Sequence, residues 1–223
     1  MINEKVRRLT VSAAMLSLAT VLKIVSDLIP FLNLPFGGTI TLASFLPIVI
    51  VAYMYGTKWG LYTGFAYSLI NVFRSVIRGS SGTVVAMFMP ESDEYMGFHA
   101  VIIILLDYLL AYTVLGFGGI FRRIKSKTAA MALGVAVAYL SCYIIHVASG
   151  AIYYGSWAEW FFTDTDFAKF PISQAIINNT SGGVLALLYS AIYNGCYMIP
   201  DMIIAMLAST LTVRISAVKR YSL

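Results

Sequence analysis

The sequence predicts an all-α integral membrane protein, a single domain over residues 1–223 that bundles six transmembrane helices and has both termini in the cytoplasm. Three observations predict this class. Of the 223 residues, 60% are hydrophobic and only 11% are charged, six apolar runs follow one another, and basic residues are distributed unevenly between them. A soluble domain has about 45–50% apolar and about 25% charged residues, so the composition excludes an ordinary soluble enzyme and a disordered chain.

The six apolar runs are separated by polar segments, of which 74–97 and 155–181 are long. The first run exceeds the apolar core of a signal peptide, about 7–15 residues, so we expect a retained membrane helix. The second, interrupted by Pro47, and the third are shorter than the roughly 20 residues that span a bilayer, and we expect them to extend or tilt. The predicted spans are 9–29, 40–55, 59–73, 98–121, 129–153 and 182–213.

Charged residues support this topology. With a cytoplasmic amino terminus, eleven basic residues lie in the inner segments and three in the outer ones, as the positive-inside rule requires. A lipid bilayer therefore explains the net charge of +5, and we expect no nucleic-acid partner. The inner residues are Lys5, Arg7, Arg8, Lys58, Arg122, Arg123, Lys125, Lys127, Arg214, Lys219 and Arg220, and the outer ones are Arg74, Arg78 and Lys169.

Signatures of catalysis are sparse. The chain contains no P-loop motif and no matching pair of interrupted helices of the kind found in inverted-repeat transporters. We interpret Cys142 and Cys196, which lie inside apolar runs, as small buried hydrophobic residues. We expect no enzymatic activity, no metal site and no cofactor. An intramembrane aspartyl hydrolase would need Asp107 and Asp201 close enough to share a proton.

Polar and aromatic side chains recur at helical spacing in the last three runs. Steps of three or four residues place them on one helix face, and an ionisable residue inside a membrane helix normally faces a cavity or the bundle interior. Together they predict a pocket, open to the outside, for a flat, nitrogen-rich and cationic ligand. The sets are Asp107, Tyr108 and Tyr112; Tyr139, Tyr143, His146 and Gly150; and Tyr189, Tyr193, Tyr197 and Asp201, with Asn194 adjacent.

Other spaced residues are interpreted as structural. Asp201 lies towards the cytoplasmic half of its run, so we expect a structural role or a partner contact. Asp27 follows Lys23 by four residues, a spacing at which the two side chains either pair on one helix face or snorkel towards the membrane surface. Gly60 and Gly64 have the same spacing, which allows a second helix to approach closely.

Read in order, short motifs along the chain resemble the thiamine-specific substrate-binding subunits, or S-components, of the energy-coupling factor transporters. The likeness extends over all six runs, and the order and spacing of the motifs make it fairly specific. The motifs are Gly37 to Leu42 with Pro47; Leu106 to Tyr108 with Leu115, Gly116, Phe121 and Arg122; His146 to Gly150 with Tyr154 to Ser156; and Tyr189 to Gly195.

This resemblance implies a six-helix bundle in a prokaryotic cell membrane that binds thiamine from outside and catalyses nothing. It implies that the carboxylate and the carboxamide engage the aminopyrimidine, while the aromatic residues and the imidazole stack on the rings. It also implies that Ala13 and Ser17 dock against a transmembrane coupling subunit, which two ATPase subunits drive. The ligand contacts carried over are Asp107, Tyr108, His146, Gly150, Tyr154, Tyr189 and Asn194.

The chain departs from the best-known form of this pattern at four positions. Asp107 replaces Glu, Tyr154 replaces Trp, Ser17 replaces Ala, and Gly38 stands where some members have a lid tryptophan. These differences leave open a thiamine precursor such as hydroxymethylpyrimidine, or another vitamin, as the ligand. A self-contained transporter coupled to protons through Asp107 or His146 is the other alternative.

Overall fold

The computed structural model describes residues 3–34, 38–78, 84–92 and 95–219. Within these ranges the regular elements are helical, and one isolated bridge pairs Asn33 with Thr39. The all-α prediction is therefore confirmed for the described part of the chain. The sequence predictions for Gly37 and Arg220 concern residues outside these ranges.

Helices long and apolar enough to cross a bilayer account for four of the six predicted spans. These are α1, α4, α5 and α8. The second and third predicted spans correspond to α2, with 10 residues, and α3, with 22 residues and a less apolar sequence. The described helices are α1 (Glu4–Asp27), α2 (Leu46–Tyr55), α3 (Thr57–Arg78), α4 (His99–Gly119), α5 (Lys127–Tyr153), α6 (Ala158–Asp164), α7 (Pro171–Asn179), α8 (Gly182–Thr212) and α9 (Ser216–Lys219).

The second predicted span begins too early. The helix begins at Leu46, and residues 38–45 are non-helical, so the prediction of a span over 40–55 is wrong for its first part. Pro47 lies in the first turn of α2, where a missing N–H removes no helical hydrogen bond. Proline therefore starts this helix instead of interrupting it. All ten residues of α2 are buried, so the short helix is surrounded by protein.

Glycines allow α3 to pass close to its neighbours, as their spacing predicts. A Cβ on Gly60 would lie 2.4 Å from Ala52 Cβ on α2, and a Cβ on Gly64 would lie 2.5 Å from Tyr112 O on α4. Both distances are far shorter than van der Waals contact. Only glycine therefore permits this approach between helices, which is the usual role of small residues in membrane bundles.

Helix α4 changes its winding along its length. It is α-helical over His99–Ile103, π-helical over Ile104–Leu110, and 3₁₀-helical over Val114–Gly119. A π-helical turn widens the helix locally and is frequent at functional sites. Asp107 and Tyr108 both lie in this turn, so the irregular winding sets the direction of two predicted ligand contacts.

Arg122, just beyond α4, caps the carboxyl end of α2. Its Nε donates to Tyr53 O and its Nη2 donates to Met54 O, both at 3.1 Å. The last carbonyls of a helix lack intrahelical partners, and a cation there also opposes the helix dipole. Arg122 therefore has a structural role in addition to its place in the charge pattern.

The segment 155–181, predicted as a long loop, is helical over much of its length. Helix α6 packs against α8, where Phe161 and Phe162 cluster with Tyr189, and α7 packs its apolar side chains against this cluster. Met87, in the other long predicted loop, clusters with Ile103 of α4. Tyr154 packs against both clusters, so the two insertions meet the bundle near the end of α5.

Candidate ligand-binding site

A cavity of about 170 Å³ lies between α4, α5, α8 and the non-helical segment 38–45. The structure brings all seven predicted ligand contacts into the lining of this cavity. Six of them lie on α4, α5 and α8 and Tyr154 follows the end of α5, so the polar faces of three helices converge on one cavity. The seven residues are Asp107, Tyr108, His146, Gly150, Tyr154, Tyr189 and Asn194.

Asp107 and His146 face each other from α4 and α5. Asp107 Oδ1 lies 3.1 Å from His146 Nδ1, and the two side chains are 17% and 12% exposed. The Tyr112 ring packs edge-on to the imidazole, with 6.2 Å between ring centroids. A carboxylate offers about four acceptor positions, so its contact with His146 leaves capacity for a ligand amine.

Gly150 and Ser190 set the spacing between α5 and α8. Ser190 Oγ donates to Val147 O at 2.9 Å, and a Cβ on Gly150 would lie 2.2 Å from the same Oγ. Gly150 therefore contributes to the cavity by the space that its missing side chain leaves.

Asn194 is held at both ends of its carboxamide. Its Nδ2 donates to Ser190 O at 2.9 Å, and its Oδ1 accepts from the Tyr197 hydroxyl at 2.5 Å. A carboxamide oxygen has two lone pairs, so Oδ1 can accept a second hydrogen bond. The contacts of Asn194 thus fix the direction in which it meets a ligand.

Aromatic rings complete much of the lining. Tyr189 packs edge-on to Phe161 at 5.2 Å and tilted against Tyr193 at 5.9 Å, measured between ring centroids. Tyr154 lies 5.6 Å from Trp157 by the same measure. Rings supported in this way present fixed faces on which a flat ligand can stack and to which a cation is attracted.

Lys23 brings a charged cluster to the cavity wall. Its Nζ lies 2.7 Å from Asp27 Oδ1, which is the i,i+4 pair, one of the two expected arrangements. Arg74 on α3 adds contacts of 2.8 and 3.0 Å to Asp27 Oδ2. Asp27 therefore joins α1 to α3 beside the cavity, a link between helices that the spacing on α1 alone did not predict.

Asp201 also reaches the cavity lining. It is only 2% exposed and accepts three hydrogen bonds: from Thr41 Oγ1 at 2.7 Å, from Ala43 N at 2.8 Å and from Tyr139 Oη at 2.7 Å. These contacts agree with the structural role expected from the sequence.

Several wall residues are absent from the predicted contacts. Tyr193 and Tyr197 lie on the predicted stripe of α8, so periodicity was the signal that could have included them. Gly38, Thr39 and Thr41 come from the non-helical segment. That segment has no periodicity, and the signal for its position was the family resemblance, in which Gly38 stands where some members have a lid tryptophan.

Two predictions outside the cavity have different outcomes. Cys142 is buried as predicted, but Cys196 is exposed, so its interpretation as a buried residue is wrong. Steps of three and four residues place Cys196 with the exposed Ile199 and Ile203 on the outward face of α8.

Ala13 and Ser17, the predicted docking residues, are both exposed on α1. Ser17 Oγ donates to Ala13 O at 3.0 Å, so the hydroxyl is satisfied within the helix and the surface there stays small. Neither residue lines the cavity, and the two predicted sites are therefore separate surfaces.

Apolar helices around a cavity of aromatic, carboxylate and imidazole groups define a membrane protein with a site for a small polar ligand. The chain belongs to the thiamine transporter protein family (Thia_YuaJ), whose model matches residues 9–160. It is 27% identical over 212 residues to the thiamine transporter ThiT of Bacillus subtilis (strain 168), covering 91% of this chain and 88% of that protein.

A solved structure supports the fold. The structure of ThiT from Listeria monocytogenes matches 92% of this chain and 96% of its own chain, with a TM-score of 0.56 and 16% sequence identity. At this identity the match shows that the two chains share a fold, and it identifies no individual site residue.

Proposed function

We propose that the protein is the thiamine-binding subunit of an energy-coupling factor uptake system. It captures thiamine from outside and delivers it with an ATP-driven coupling module, and it catalyses no reaction itself. The observation that carries this proposal is the convergence of Asp107, His146 and Asn194 with aromatic rings in one cavity, in a chain of the thiamine transporter family.

The cavity chemistry suits the two rings of thiamine. Asp107 and Asn194 accept hydrogen bonds from the exocyclic amino group of the aminopyrimidine, and hydrogen bonds to a charged acceptor are the stronger kind. The tyrosines and His146 stack on the rings, and aromatic faces favour the positive charge of the thiazolium. A site of this kind binds by complementarity and needs no reactive group.

The proposed topology has six spans, with α2 and α3 as the second and third, in a multi-pass protein of the prokaryotic cell membrane with both termini cytoplasmic. The distribution of eleven inner and three outer basic residues supports this orientation. Because α2 is buried on all sides and segment 38–45 lines a cavity, neither requires lipid contact. Non-helical backbone at membrane depth is tolerated under those conditions.

The exposed pair Ala13 and Ser17 is the proposed contact for the transmembrane coupling subunit, which two ATPase subunits drive. Small residues permit close approach of a partner helix. Replacing Ser17 by Leu should leave thiamine affinity unchanged and lower uptake by at least fivefold in liposomes that contain the coupling module. Ser17→Ala, which keeps the surface small, is the matched control and should retain uptake. Equal uptake by both variants would remove this surface from the interface.

Thiamine titration of the purified subunit tests the proposed function. Trp157 lies beside Tyr154 in the cavity lining, so bound thiamine should change its fluorescence saturably at micromolar concentration or below. The Trp157→Phe variant should lose this fluorescence change, which would assign the change to Trp157. Calorimetry measures binding without a fluorescent reporter. Absence of binding by both methods contradicts the proposal. Tighter binding of hydroxymethylpyrimidine than of thiamine would show that the ligand is a thiamine precursor.

Transport assays separate the proposed system from a self-contained transporter. Liposomes with the subunit alone should accumulate no thiamine, while liposomes that also contain the coupling module and ATP should. Accumulation by the subunit alone, driven by a proton gradient, would contradict the proposed coupling to ATPase subunits.

A further inference from the structure

The segment 38–45 forms a wall of the cavity although it belongs to no helix. Gly38, Thr39 and Thr41 reach the cavity lining from it. The segment lies between α1 and α2, and its conformation therefore decides where these groups stand relative to the contacts on α5 and α8.

Two residues of this segment have an unfavourable backbone conformation. Leu42 has φ of 49° and Ala43 has φ of 65°, in the left-handed region that residues with a Cβ rarely adopt. Such a conformation persists only where surrounding contacts hold it in place. The segment therefore depends on contacts from the rest of the fold.

Asp201 contacts the residue before the unfavourable pair and the second residue of that pair. Its Oδ2 accepts from Thr41 Oγ1 at 2.7 Å, and its Oδ1 accepts from Ala43 N at 2.8 Å. Tyr139 Oη donates to Oδ2 at 2.7 Å and thereby fixes the carboxylate itself. With the carboxylate 2% exposed, little water is available to replace it.

Helix α8 meets the segment at a second point. Gly38 N donates to the Tyr193 hydroxyl oxygen at 3.1 Å, and a Cβ on Gly38 would lie 2.8 Å from the Tyr197 ring. The same helix carries Tyr189 and Asn194, two of the proposed ligand contacts. Helix α8 therefore holds segment 38–45 in a fixed position relative to these two ligand contacts.

We propose that Asp201 is a positioning residue for ligand binding: it holds segment 38–43 in the conformation that forms the cavity wall. The identity of the ligand rests on the proposed function, but the effect on the segment does not. Three donors occupy the Asp201 carboxylate, whereas Asp107 has acceptor capacity left for a ligand, so Asp201 acts through the segment and not by contact with the ligand.

Hydrogen–deuterium exchange of the full-length, ligand-free protein tests the structural half of this proposal. Asp201→Asn keeps the size of the side chain but replaces one acceptor oxygen by a donor. Amides of 38–45 should exchange at least tenfold faster in this variant, while those of α5 keep their protection. Asp166→Asn, at an exposed position between α6 and α7, is the matched control. Unchanged exchange in 38–45, or faster exchange throughout the bundle, overturns the proposal whether or not thiamine binds.

Thiamine affinity with a rescue variant tests the functional half. Asp201→Asn should weaken binding about tenfold. Ala43→Gly removes one buried methyl group and makes the positive φ acceptable, so the double variant Asp201→Asn/Ala43→Gly should recover at least threefold of the lost affinity. A direct contact between Asp201 and the ligand predicts no recovery, and that result overturns the positioning role. Lack of thiamine binding by the unmodified protein contradicts the proposed function alone, because the exchange result stands independently.

Discussion

The two carboxylates in the lining of the cavity differ in their surroundings. The Asp107 side chain is 17% exposed and contacts His146 at 3.1 Å, in a π-helical turn. Asp201 is 2% exposed and accepts from Thr41, Ala43 and Tyr139. Asp107 has acceptor capacity for a ligand, whereas the Asp201 carboxylate is hydrogen-bonded to groups of the protein itself.

This difference shows that an acidic residue in a membrane helix does not by itself indicate a ligand site. Its burial is favourable only when its acceptor positions are filled. At Asp201 protein donors occupy three of about four acceptor positions, whereas at Asp107 we expect the ligand to supply the further donors. The prediction is that loss of Asp201 lowers both stability and affinity, whereas loss of Asp107 lowers affinity with little effect on stability.

The largest effect should follow Asp201→Ala. It leaves the hydroxyls of Thr41 and Tyr139 and the amide of Ala43 without their acceptor, and each unsatisfied buried donor costs about 1–3 kcal/mol. We expect the free energy of unfolding of the ligand-free protein to fall by about 3 kcal/mol or more, measured by thermal unfolding in detergent. Asp107→Ala should cost much less stability. Equal losses for the two variants would remove the distinction between the carboxylates.

Gly150→Ala tests the helix contact near the first carboxylate. The new Cβ would lie 2.2 Å from Ser190 Oγ, and such overpacking costs about 1–3 kcal/mol. Thiamine affinity should fall together with stability, because His146 and Asn194 lie on the two helices that would separate. Gly183→Ala is the matched control, since nothing lies within 4 Å of its Cβ position. If Gly150→Ala changed neither stability nor affinity, the contact between Gly150 and Ser190 would not limit the spacing of the helices.

Asp107→Asn should weaken thiamine binding at least tenfold, about 1.4 kcal/mol, with little change in the unfolding temperature. The variant keeps the shape of the side chain and removes the charge that favours a cationic ligand with amine donors. Calorimetric titration measures the affinity, and Asp166→Asn at an exposed position between α6 and α7 provides the control. An unchanged affinity would exclude Asp107 from the ligand contacts.

The smallest effect should follow Tyr197→Phe. It removes the hydroxyl that donates to Asn194 Oδ1, and a neutral hydrogen bond contributes about 0.5–1.5 kcal/mol. We expect a loss of affinity of a few-fold, because the carboxamide of Asn194 is then held only through its Nδ2, which donates to Ser190. Tyr62→Phe, at an exposed position on α3, should change nothing. A loss as large as that of Asp107→Asn would show that Tyr197 contacts the ligand directly.

Helical periodicity explains why much of the candidate site could be predicted. On α5 and α8, residues three or four positions apart share a face, so His146 with Gly150 and Tyr189 with Tyr193 were placed on common stripes by spacing alone. The apolar medium then required the polar stripes to face inward. The exposure of Cys196 does not follow from this rule, because its spacing is compatible with Tyr193 three residues before it and with the exposed Ile199 three residues after it.

The wall segment explains why the rest could not be predicted. Residues 40–45 are apolar or small and continue directly into α2, so the sequence predicted a helix there. The non-helical conformation depends on Asp201, about 160 residues away along the chain, and on the Tyr193 hydroxyl. Contacts over such a separation leave no local pattern.

The sequence by itself determined the membrane class, the distribution of charge and the faces of the long helices, because hydrophobicity, the positive-inside rule and the 3.6-residue helical repeat are local properties. The tertiary structure decided which carboxylate accepts hydrogen bonds from three protein donors and where segment 38–45 lies. It also decided that Gly150 leaves space for the cavity. These depend on distances between helices, and only the packed bundle sets them.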